Sequence, residues 1–314
     1  MKILIELPTW IGDAVMTTPA IENIISYYNN PEITLLGSFS SIELLKNHPQ
    51  VINTKVLDKK YTSLYKLAKN LGKFDAFFSF RTTLRSKLLK FFILSANKYQ
   101  HIDNESQGRH QVEKYNDFVN NSLKTNYSAG KLNIGLSNFS QDKLNSNENN
   151  YPTLGINPGG SYGDAKRWYA IEFAEVAAKL CNQYNIIIFG DSREKDIASD
   201  IEKSLVKRGV TNYQNLAGHT SISDLIDYIS RLDLIITGDS GPMHIASYFQ
   251  VPTVAIFGPT KAQMTSQWMN NKSIIVKKNL SCQPCMKRTC PLKHHNCMKL
   301  IKSVDVLDAV NTIK

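Results

Sequence analysis

Four short segments combine residue types that could carry out chemistry, and the first follows a strand-like run at residues 2–7. In it, Gly12 permits a sharp turn, and Asp13 stands where a helical pattern begins. An aspartate at such a position is suited to capping helix amides. It is equally suited to acting as a general base at the mouth of a cleft between domains. The two roles are compatible.

The second segment is glycine-rich and covers residues 157–168. Its three glycines let backbone N–H groups approach an anion, and Lys166 and Arg167 add two cations. It contains neither the Gly-Lys-Ser/Thr of a phosphate-binding P-loop nor the spacing of a dinucleotide-binding loop. The composition predicts a phosphate site of another kind, although many glycine-rich loops are only turns.

The third segment, residues 237–244, lies between an apolar strand and a helix. The amides of Ser240 and Gly241 at the helix start are expected to bind a diphosphate, which leaves Asp239 to accept hydrogen bonds from sugar hydroxyls. His244, one turn later, is either a packed histidine or a catalytic one. The segment includes the Gly-Asp-Ser-Gly of trypsin-like proteases, but those are all-β, and here it opens a helix.

The fourth segment holds four of the five cysteines, together with His294 and His295. The cysteines are Cys282, Cys285, Cys290 and Cys297. Four cysteines so close together in a reducing compartment suggest a structural zinc site. The alternative is a set of reduced thiols in an ordered loop, because no second Cys-x2-Cys pair completes the usual spacing.

The elements that must position these segments alternate between strands and helices. In the first half, strands are predicted at residues 2–7, 33–37, 51–57 and 75–80, and helices at 13–28, 42–46 and 64–71. In the second half, strands are predicted at 153–157, 185–189, 232–237 and 253–257, and helices at 171–183, 194–207, 222–231 and 242–249. This alternation predicts α/β architecture with mostly parallel, doubly wound sheets, in which ligands lie beyond the carboxyl ends of the strands.

The domain organisation is indicated by a change of composition at residues 137–150. Asn and Ser predominate there and no core face can form, which predicts a linker or an exposed loop. We therefore expect two domains, residues 1–150 and 151–314. A chain of 314 residues suits two domains of about 150 residues each.

The overall composition excludes several classes of protein. With 42% hydrophobic and 20% charged residues the chain is neither disordered nor collagen-like, and it lacks an apolar run of the ~20 residues that cross a bilayer. The first eight residues include an acid and a proline where a signal peptide is apolar, so we expect a cytoplasmic protein. The net charge of +10 favours an anionic partner: nucleic acid, a phosphorylated small molecule or an acidic membrane face.

Taken together, the motifs resemble the ADP-heptose:lipopolysaccharide heptosyltransferases, glycosyltransferase family nine, and most of all those of the heptosyltransferase II type. The resemblance lies in residues 1–21, 158–168, 215–221, 238–244, 251–260 and 282–298. It covers the chain from end to end and is densest in the second half.

This resemblance implies a GT-B-like fold, with two Rossmann-like doubly wound domains facing a central cleft. The first domain would bind the acceptor and the second the nucleotide sugar, with the C-terminal helix packing back on the first. It also implies an inverting transfer without cofactor or metal. The chain agrees in having no Asp-x-Asp triplet that could hold a divalent ion on a diphosphate.

The resemblance further implies roles for individual residues. Asp13 would take the proton of an acceptor heptose hydroxyl as it attacks ADP-L-glycero-D-manno-heptose, and Lys166 with the amides near Ser240 would hold the departing ADP. The donor-binding set is Ser161, Tyr162, Lys166, Arg167, Asp191, Glu194, Gly218, Asp239, Ser240, Gly241, Pro242, Met243 and His244. Whether Asp191 or Glu194 binds the ribose stays open.

On the acceptor side, the resemblance implies a lipid-A-linked inner core rich in phosphate and carboxylate. The acceptor-binding set is Gly12, Arg81, Arg85 and Arg109, although a merely solvated basic surface would explain these arginines equally. A peripheral position on the anionic inner face of the inner membrane is expected from the charge.

Three alternatives remain. The first two are transfer to another inner-core acceptor, as in the heptosyltransferase I type, and the use of another nucleotide sugar. The third, a zinc-knuckle protein that binds nucleic acid, is disfavoured because residues 282–297 contain no aromatic side chain other than histidine.

Overall fold

The computed structural model describes residues 1–58, 60–102, 108–136, 151–160 and 162–313. The chain divides into two compact units, Met1–Asn138 and Phe139–Lys314. The linker predicted at residues 137–150 lies outside the described residues.

The first unit is a five-stranded parallel sheet with helices between its strands. Its elements are β1 (Lys2–Glu6), α1 (Ile11–Tyr27), β2 (Glu32–Gly37), α2 (Phe39–Leu45), β3 (Val51–Val56), α3 (Ser63–Leu71), β4 (Lys73–Ser79), α4 (Leu84–Phe92), β5 (Leu94–Gln100) and α5 (Gln111–Leu123). The strand order β3-β2-β1-β4-β5 reverses between β1 and β4, where Glu6 lies opposite Ser79. The central strand is apolar and buried because helices cover both faces of the sheet.

The second unit is a six-stranded parallel sheet. Its elements are β6 (Thr153–Asn157), α6 (Ala170–Leu180), β7 (Asn185–Ile188), α7 (Lys195–Lys207), β8 (Tyr213–Asn215), α8 (Ile222–Ser230), β9 (Leu234–Gly238), α9 (Gly241–Tyr248), β10 (Thr253–Phe257), α10 (Ala262–Thr265), β11 (Ser273–Lys277), α11 (Asn296–Lys299) and α12 (Ser303–Ile313). The order β11-β10-β9-β6-β7-β8 is that of a Rossmann fold and reverses between β6 and β9. The expectation of doubly wound α/β architecture is confirmed.

The C-terminal helix α12 packs on α6 and β11 of its own unit. Its Val306 and Val310 are fully buried in the core of that unit. Packing of this helix on the first unit stays a prediction. Within the described residues, no helix has both the length and the apolar character needed to span a membrane.

Candidate functional site

In the second unit, polar side chains meet where the strand order reverses. Asn157 ends β6 and lies opposite Thr237 of β9. Its Nδ2 donates to Thr237 Oγ1 at 3.3 Å and to Ser240 Oγ at 3.1 Å. Ser240 is the N-cap of α9, and within the described residues its hydroxyl accepts no bond from a helix amide. The first amides of α9 thus point beyond the sheet edge without a side-chain cap, as an anion site requires.

A largely buried ion pair lies beside this helix start. Lys166 Nζ is 2.7 Å from Asp239 Oδ2 and 3.2 Å from the Asp239 carbonyl oxygen. Thr260, in the loop between β10 and α10, donates its hydroxyl to the same Oδ2 at 2.7 Å. Two residues that the sequence assigned separately, to phosphate and to sugar, therefore form one unit with a third residue that the site set omitted.

The glycine-rich loop is held by a buried carboxylate. Glu194 is buried, and its Oε2 accepts the backbone N–H of Asp191 at 2.9 Å. A Cβ on Gly159 would lie 1.9 Å from Glu194 Cδ, so only glycine lets the two loops approach this closely. Burial raises the pKa of Glu194, with hydrogen bonds from Asp191 and Gly160 opposing the shift.

Asp191 differs from Glu194 although the two acids share a loop. Its carboxylate binds the backbone N–H of Arg193 at 2.8 Å and the Nε of the same arginine at 3.0 Å. Burial would raise the pKa of Asp191, but these hydrogen bonds and the charge of Arg193 outweigh it and leave the pKa lowered. Arg167 acts electrostatically on both acids and so lies near them. The ribose assignment stays a prediction for either acid.

The loop after β8 adjoins the same two acids. The Gly218 N–H donates to the Gly190 carbonyl at 2.8 Å, and Gly218 has a φ of +73°. This left-handed conformation favours glycine, and the hydrogen bond places the loop with Gly218 next to the two acids from which the ribose ligand is predicted.

Of the other predicted donor residues, Met243 and His244 lie inside the fold. Both are buried in α9, and Met243 packs on Ala255 and Phe257 of β10. Pro242 is in the first turn of the helix, where a proline costs no hydrogen bond. Ser161 lies outside the described residues.

The cysteine-rich segment packs directly on the glycine-rich loop. Tyr162 donates its hydroxyl to the Met286 carbonyl at 2.7 Å, and the Ala165 N–H donates to the Arg288 carbonyl at 3.0 Å. The Tyr162 ring centroid is 4.8 Å from Lys166 Nζ and 5.5 Å from the guanidinium of Arg288.

His295 adds two further contacts between these segments. Its Nε2 is 3.0 Å from the Ala165 carbonyl, and its Nδ1 is 3.1 Å from the Tyr169 hydroxyl. A carbonyl only accepts, so Nε2 carries the proton and Nδ1 accepts from the tyrosine. The segment therefore braces the loop that holds Lys166.

The four thiols of this segment are near one another. Burial raises the pKa of Cys297, and the charges of Cys285, Cys290 and Cys282 add to the shift. All four are free cysteines, and no three His, Cys, Asp or Glu side chains in the described part of the chain are arranged to hold a metal ion. The structural zinc site stays a prediction.

In the first unit, Asp13 lies in the first turn of α1 and is partly buried. The N-cap is Trp10, so Asp13 is the third helical residue, and the expectation that it is the capping residue is wrong. The helix begins two residues earlier than predicted, which places Gly12 inside its first turn. A carboxylate there is stabilised by the positive end of the helix dipole.

The reversal point of the first sheet holds a buried acid, Glu6. It accepts the hydroxyls of Ser79 at 2.6 Å and Ser86 at 2.9 Å, and Arg81 Nη1 lies 3.8 Å away. Burial raises the pKa of Glu6, while these hydroxyls and the two arginines Arg81 and Arg85 oppose the shift. Two predicted acceptor residues thus lie around an acid that the site set omitted, although a lone acid in an apolar strand is a signal the sequence offers.

Arg85 and Arg109 make further contacts within the first unit. Arg85 donates to the Asp58 carbonyl and lies 6.0 Å from the Tyr61 ring centroid. Arg109 instead pairs with Asp117 and, at 3.5 Å, with Glu113 of α5. Asp117 borders a cavity of about 310 Å³ at the carboxyl end of β5.

Comparison with known proteins identifies relatives along the whole chain. The sequence profile of glycosyltransferase family 9 (heptosyltransferase) matches residues 76–296. The chain is 40% identical to lipooligosaccharide heptosyltransferase 2 of Campylobacter jejuni over 320 aligned residues, covering 100% of this chain and 99% of that protein.

Two solved structures share the fold. The structure of Escherichia coli ADP-heptose LPS heptosyltransferase II superposes with a TM-score of 0.77 at 21% identity, covering 100% of this chain and 98% of that one. A glycosyltransferase family 9 protein from Veillonella parvula gives a TM-score of 0.82 at 21% identity, covering 99% and 96% of the two chains. The GT-B-like fold class is confirmed by these neighbours.

Proposed function

Since the chain belongs to glycosyltransferase family 9, the heptosyltransferases, it is a transferase, and we propose that it moves L-glycero-D-manno-heptose from ADP-heptose to the heptose of a lipopolysaccharide or lipooligosaccharide inner core. The observation that carries this proposal is the 40% identity to a lipooligosaccharide heptosyltransferase 2 over the full length of both chains. We propose ADP-heptose as the donor because the E. coli enzyme with the same fold is named an ADP-heptose LPS heptosyltransferase.

The second unit would hold the donor at its reversal point. The uncapped amides at the start of α9 suit the diphosphate, because a helix N-terminus combines N–H donors with a positive dipole. The Lys166 ammonium has three N–H donors, of which two bind Asp239. The third would bind a phosphate oxygen. Asp239 Oδ2 accepts from two donors, and among the residues that the structure describes Oδ1 accepts from none, so it suits a sugar hydroxyl.

The chemical step we propose is a single inverting displacement. Asp13 accepts the proton of the acceptor hydroxyl as its oxygen attacks the anomeric carbon from the face opposite ADP, and the donor C–O bond breaks. Protein donors rather than a metal ion stabilise the charge that develops on ADP, since preorganised donors in a site that excludes water are effective at this task.

The Asp13 role is tested by replacing the carboxylate with its neutral isostere. Asp13→Asn should lower kcat by about 10²–10⁴, the usual contribution of a general base. The Kd for ADP-heptose should change little, because Asp13 lies in the first unit and the donor contacts in the second. Retained turnover would remove Asp13 from the base role.

We also propose that the enzyme works on the cytoplasmic face of the inner membrane as a peripheral protein. A lipid-A-linked acceptor is anchored in a bilayer, and a chain of net charge +10 is attracted to an anionic surface. Nucleic acid has no place in this proposal.

The transfer itself is tested by mass analysis of the product. Purified protein would be incubated with ADP-heptose and with truncated core acceptors that do or do not already end in heptose. We expect one heptose to be added only where a heptose is present, at a rate that EDTA leaves unchanged. Addition to the acceptor without heptose would indicate the heptosyltransferase I type, and no addition to either would refute the proposal.

A further inference from the structure

Helix α4 presents a stripe of apolar side chains to solvent. Leu84, Leu88 and Phe91 are spaced by four and three residues and so share one side of the helix. Their exposures are 67%, 38% and 77%. Phe91 is the most exposed of the large hydrophobic side chains in the described residues.

This stripe is not required by the core of the unit. The opposite side of α4 packs inward through Leu89 and Ile93, with Phe92 against their cluster. The Phe92 ring also meets Tyr65 of α3 with centroids 5.7 Å apart, which ties the two helices together. None of Leu84, Leu88 and Phe91 belongs to this cluster, and Phe91 adjoins it only through the Phe92 ring, with centroids 5.5 Å apart.

The same region concentrates positive charge. Residues 60–100 contain nine lysines and arginines and a single acid, Asp75, in a chain whose net charge is +10. Lys66 of α3 and Lys87 of α4 are exposed, and Lys90 is partly exposed. Among the residues that the structure describes, no carboxylate lies within ion-pair distance of these three lysines.

We propose that this surface docks the protein on an anionic lipid bilayer. The surface, called here the α4 face, consists of Leu84, Lys87, Leu88, Lys90 and Phe91. The apolar stripe enters the boundary between headgroups and acyl chains, and the lysines bind headgroup phosphates, as in an interfacial amphipathic helix. The proposal rests on the membrane association proposed above and deepens it by assigning the surface.

A lipid partner fits the α4 face better than a nucleic acid does. Both partners would satisfy unpaired lysines, because both offer phosphates. Only a bilayer, however, takes up bulky aliphatic side chains such as Leu84 and Leu88, whereas recognition of single-stranded nucleic acid relies on stacking of aromatic rings. The exposed stripe on α4 is mainly aliphatic.

The proposal is tested by co-flotation of the full chain with vesicles of phosphatidylglycerol and phosphatidylethanolamine, and with vesicles of phosphatidylcholine alone. Two variants alter the α4 face, Leu88→Ser with Phe91→Ser, and Lys87→Glu with Lys90→Glu. A matched control, Val206→Ser with Lys207→Glu, makes the same kinds of change on exposed residues of α7 in the second unit. We expect each α4 variant to lower partitioning onto the anionic vesicles by at least about tenfold, and the control to leave it unchanged.

The outcomes separate this proposal from the one on which it rests. If the unaltered protein floats with neither kind of vesicle, membrane association itself fails. If it binds anionic vesicles and the α4 variants bind as well, association stands and the α4 face is the wrong surface. If it ignores vesicles but binds an RNA oligonucleotide through the same lysines, the surface serves nucleic acid and the proposal is overturned. Transfer to a water-soluble acceptor, unchanged in all variants, shows that each one folds.

Discussion

The arrangement of Lys166, Asp239 and Thr260 changes how each of these residues can act. A lysine that only bound phosphate would be free to move in the empty site, but this one is fixed by a largely buried carboxylate at 2.7 Å. Fixing it in advance lowers the entropy lost when the donor binds. No sequence pattern connects position 166 with position 239, because the contact arises only when the two loops meet at the sheet edge.

Thr260 is predicted to position the Asp239 carboxylate and not to contact the substrate itself. Thr260→Val keeps the shape and removes the hydroxyl that donates to Asp239 Oδ2, so a buried acceptor loses one bond at a cost of about 1–3 kcal/mol. We expect a higher KM for ADP-heptose with a smaller change in kcat. Thr260→Ser retains the hydroxyl and should restore the KM. Steady-state kinetics of the two variants, with a thermal midpoint for each, would make the comparison, and equal KM values would contradict it.

Glu194 is predicted to make stability depend on pH. Burial raises the pKa of Glu194 in the folded protein, so the folded state holds its proton more tightly than the unfolded state does. The contribution of this group is then full at low pH and is lost as the pH rises through the folded pKa. Glu194→Gln does not titrate, so its stability relative to the natural protein should rise between the ordinary glutamate pKa and the raised one.

Asp224 provides a control of opposite sign. Hydrogen bonds from Ser221 in the capping box of α8 lower the pKa of Asp224, so its contribution is present above the ordinary aspartate pKa and fades as the pH falls. Asp224→Asn should therefore be destabilising at neutral pH and neutral in acid. Urea unfolding over a pH series measures both variants, and curves that stay parallel to that of the natural protein would refute both predictions.

At the scale of elements, the four central strands of the second unit were predictable to within a few residues, because they are buried on both faces. The strands β9 and β10 are buried at every position, which produces unbroken apolar runs. The strands that sequence reasoning missed are at sheet edges. In β5 no residue is fully buried and β8 has only three residues, so neither shows an apolar pattern. In β11 the apolar run is only three residues long, 274–276, and one of them is buried.

Two helices of the first unit were missed for a related reason. In α4 the apolar side chains lie on the exposed side as well as the buried one, which hides the helical period. In α5 the buried positions include Lys114 and Asn116, which a pattern of apolar residues cannot reveal. The site motifs, by contrast, follow strands that are easily recognised, and their order along the sheet edge follows from the doubly wound topology.

The cysteine-rich segment is predicted to act on the donor loop through His295. His295→Ala removes the bonds to the Ala165 carbonyl and the Tyr169 hydroxyl, each worth about 1 kcal/mol. We expect reduced stability and a KM for ADP-heptose that rises more than kcat falls, because the loop that holds Lys166 loses its brace. Tyr169→Phe removes only one of the two bonds and should show the smaller change of the two. If the KM for ADP-heptose is unaltered in His295→Ala, the cysteine-rich segment packs on the glycine-rich loop without affecting donor binding.

For the whole molecule, positive charge is distributed unevenly between the two units, and this should make membrane binding and donor binding respond differently to salt. Residues 60–100, with nine basic residues and one acid, lie in the first unit, where the acceptor is also predicted to bind. The donor site, by contrast, pairs most of its cations with carboxylates, as Lys166, Arg193 and Arg167 show. Salt should therefore weaken binding of the enzyme to the membrane more strongly than it weakens donor binding.

This asymmetry predicts different salt responses for two forms of one acceptor. The Debye length falls from about 10 Å to about 3 Å between about 0.1 M and about 1 M salt, which screens exposed charges but affects a buried pair such as Lys166–Asp239 far less. With the acceptor embedded in anionic vesicles, the KM for acceptor should rise several-fold over this range. With a water-soluble truncated acceptor it should rise less, and the KM for ADP-heptose should change little in both assays. Equal salt dependence for the two acceptor forms would mean that the basic surface contacts the sugar alone, and that the bilayer contributes nothing to recognition.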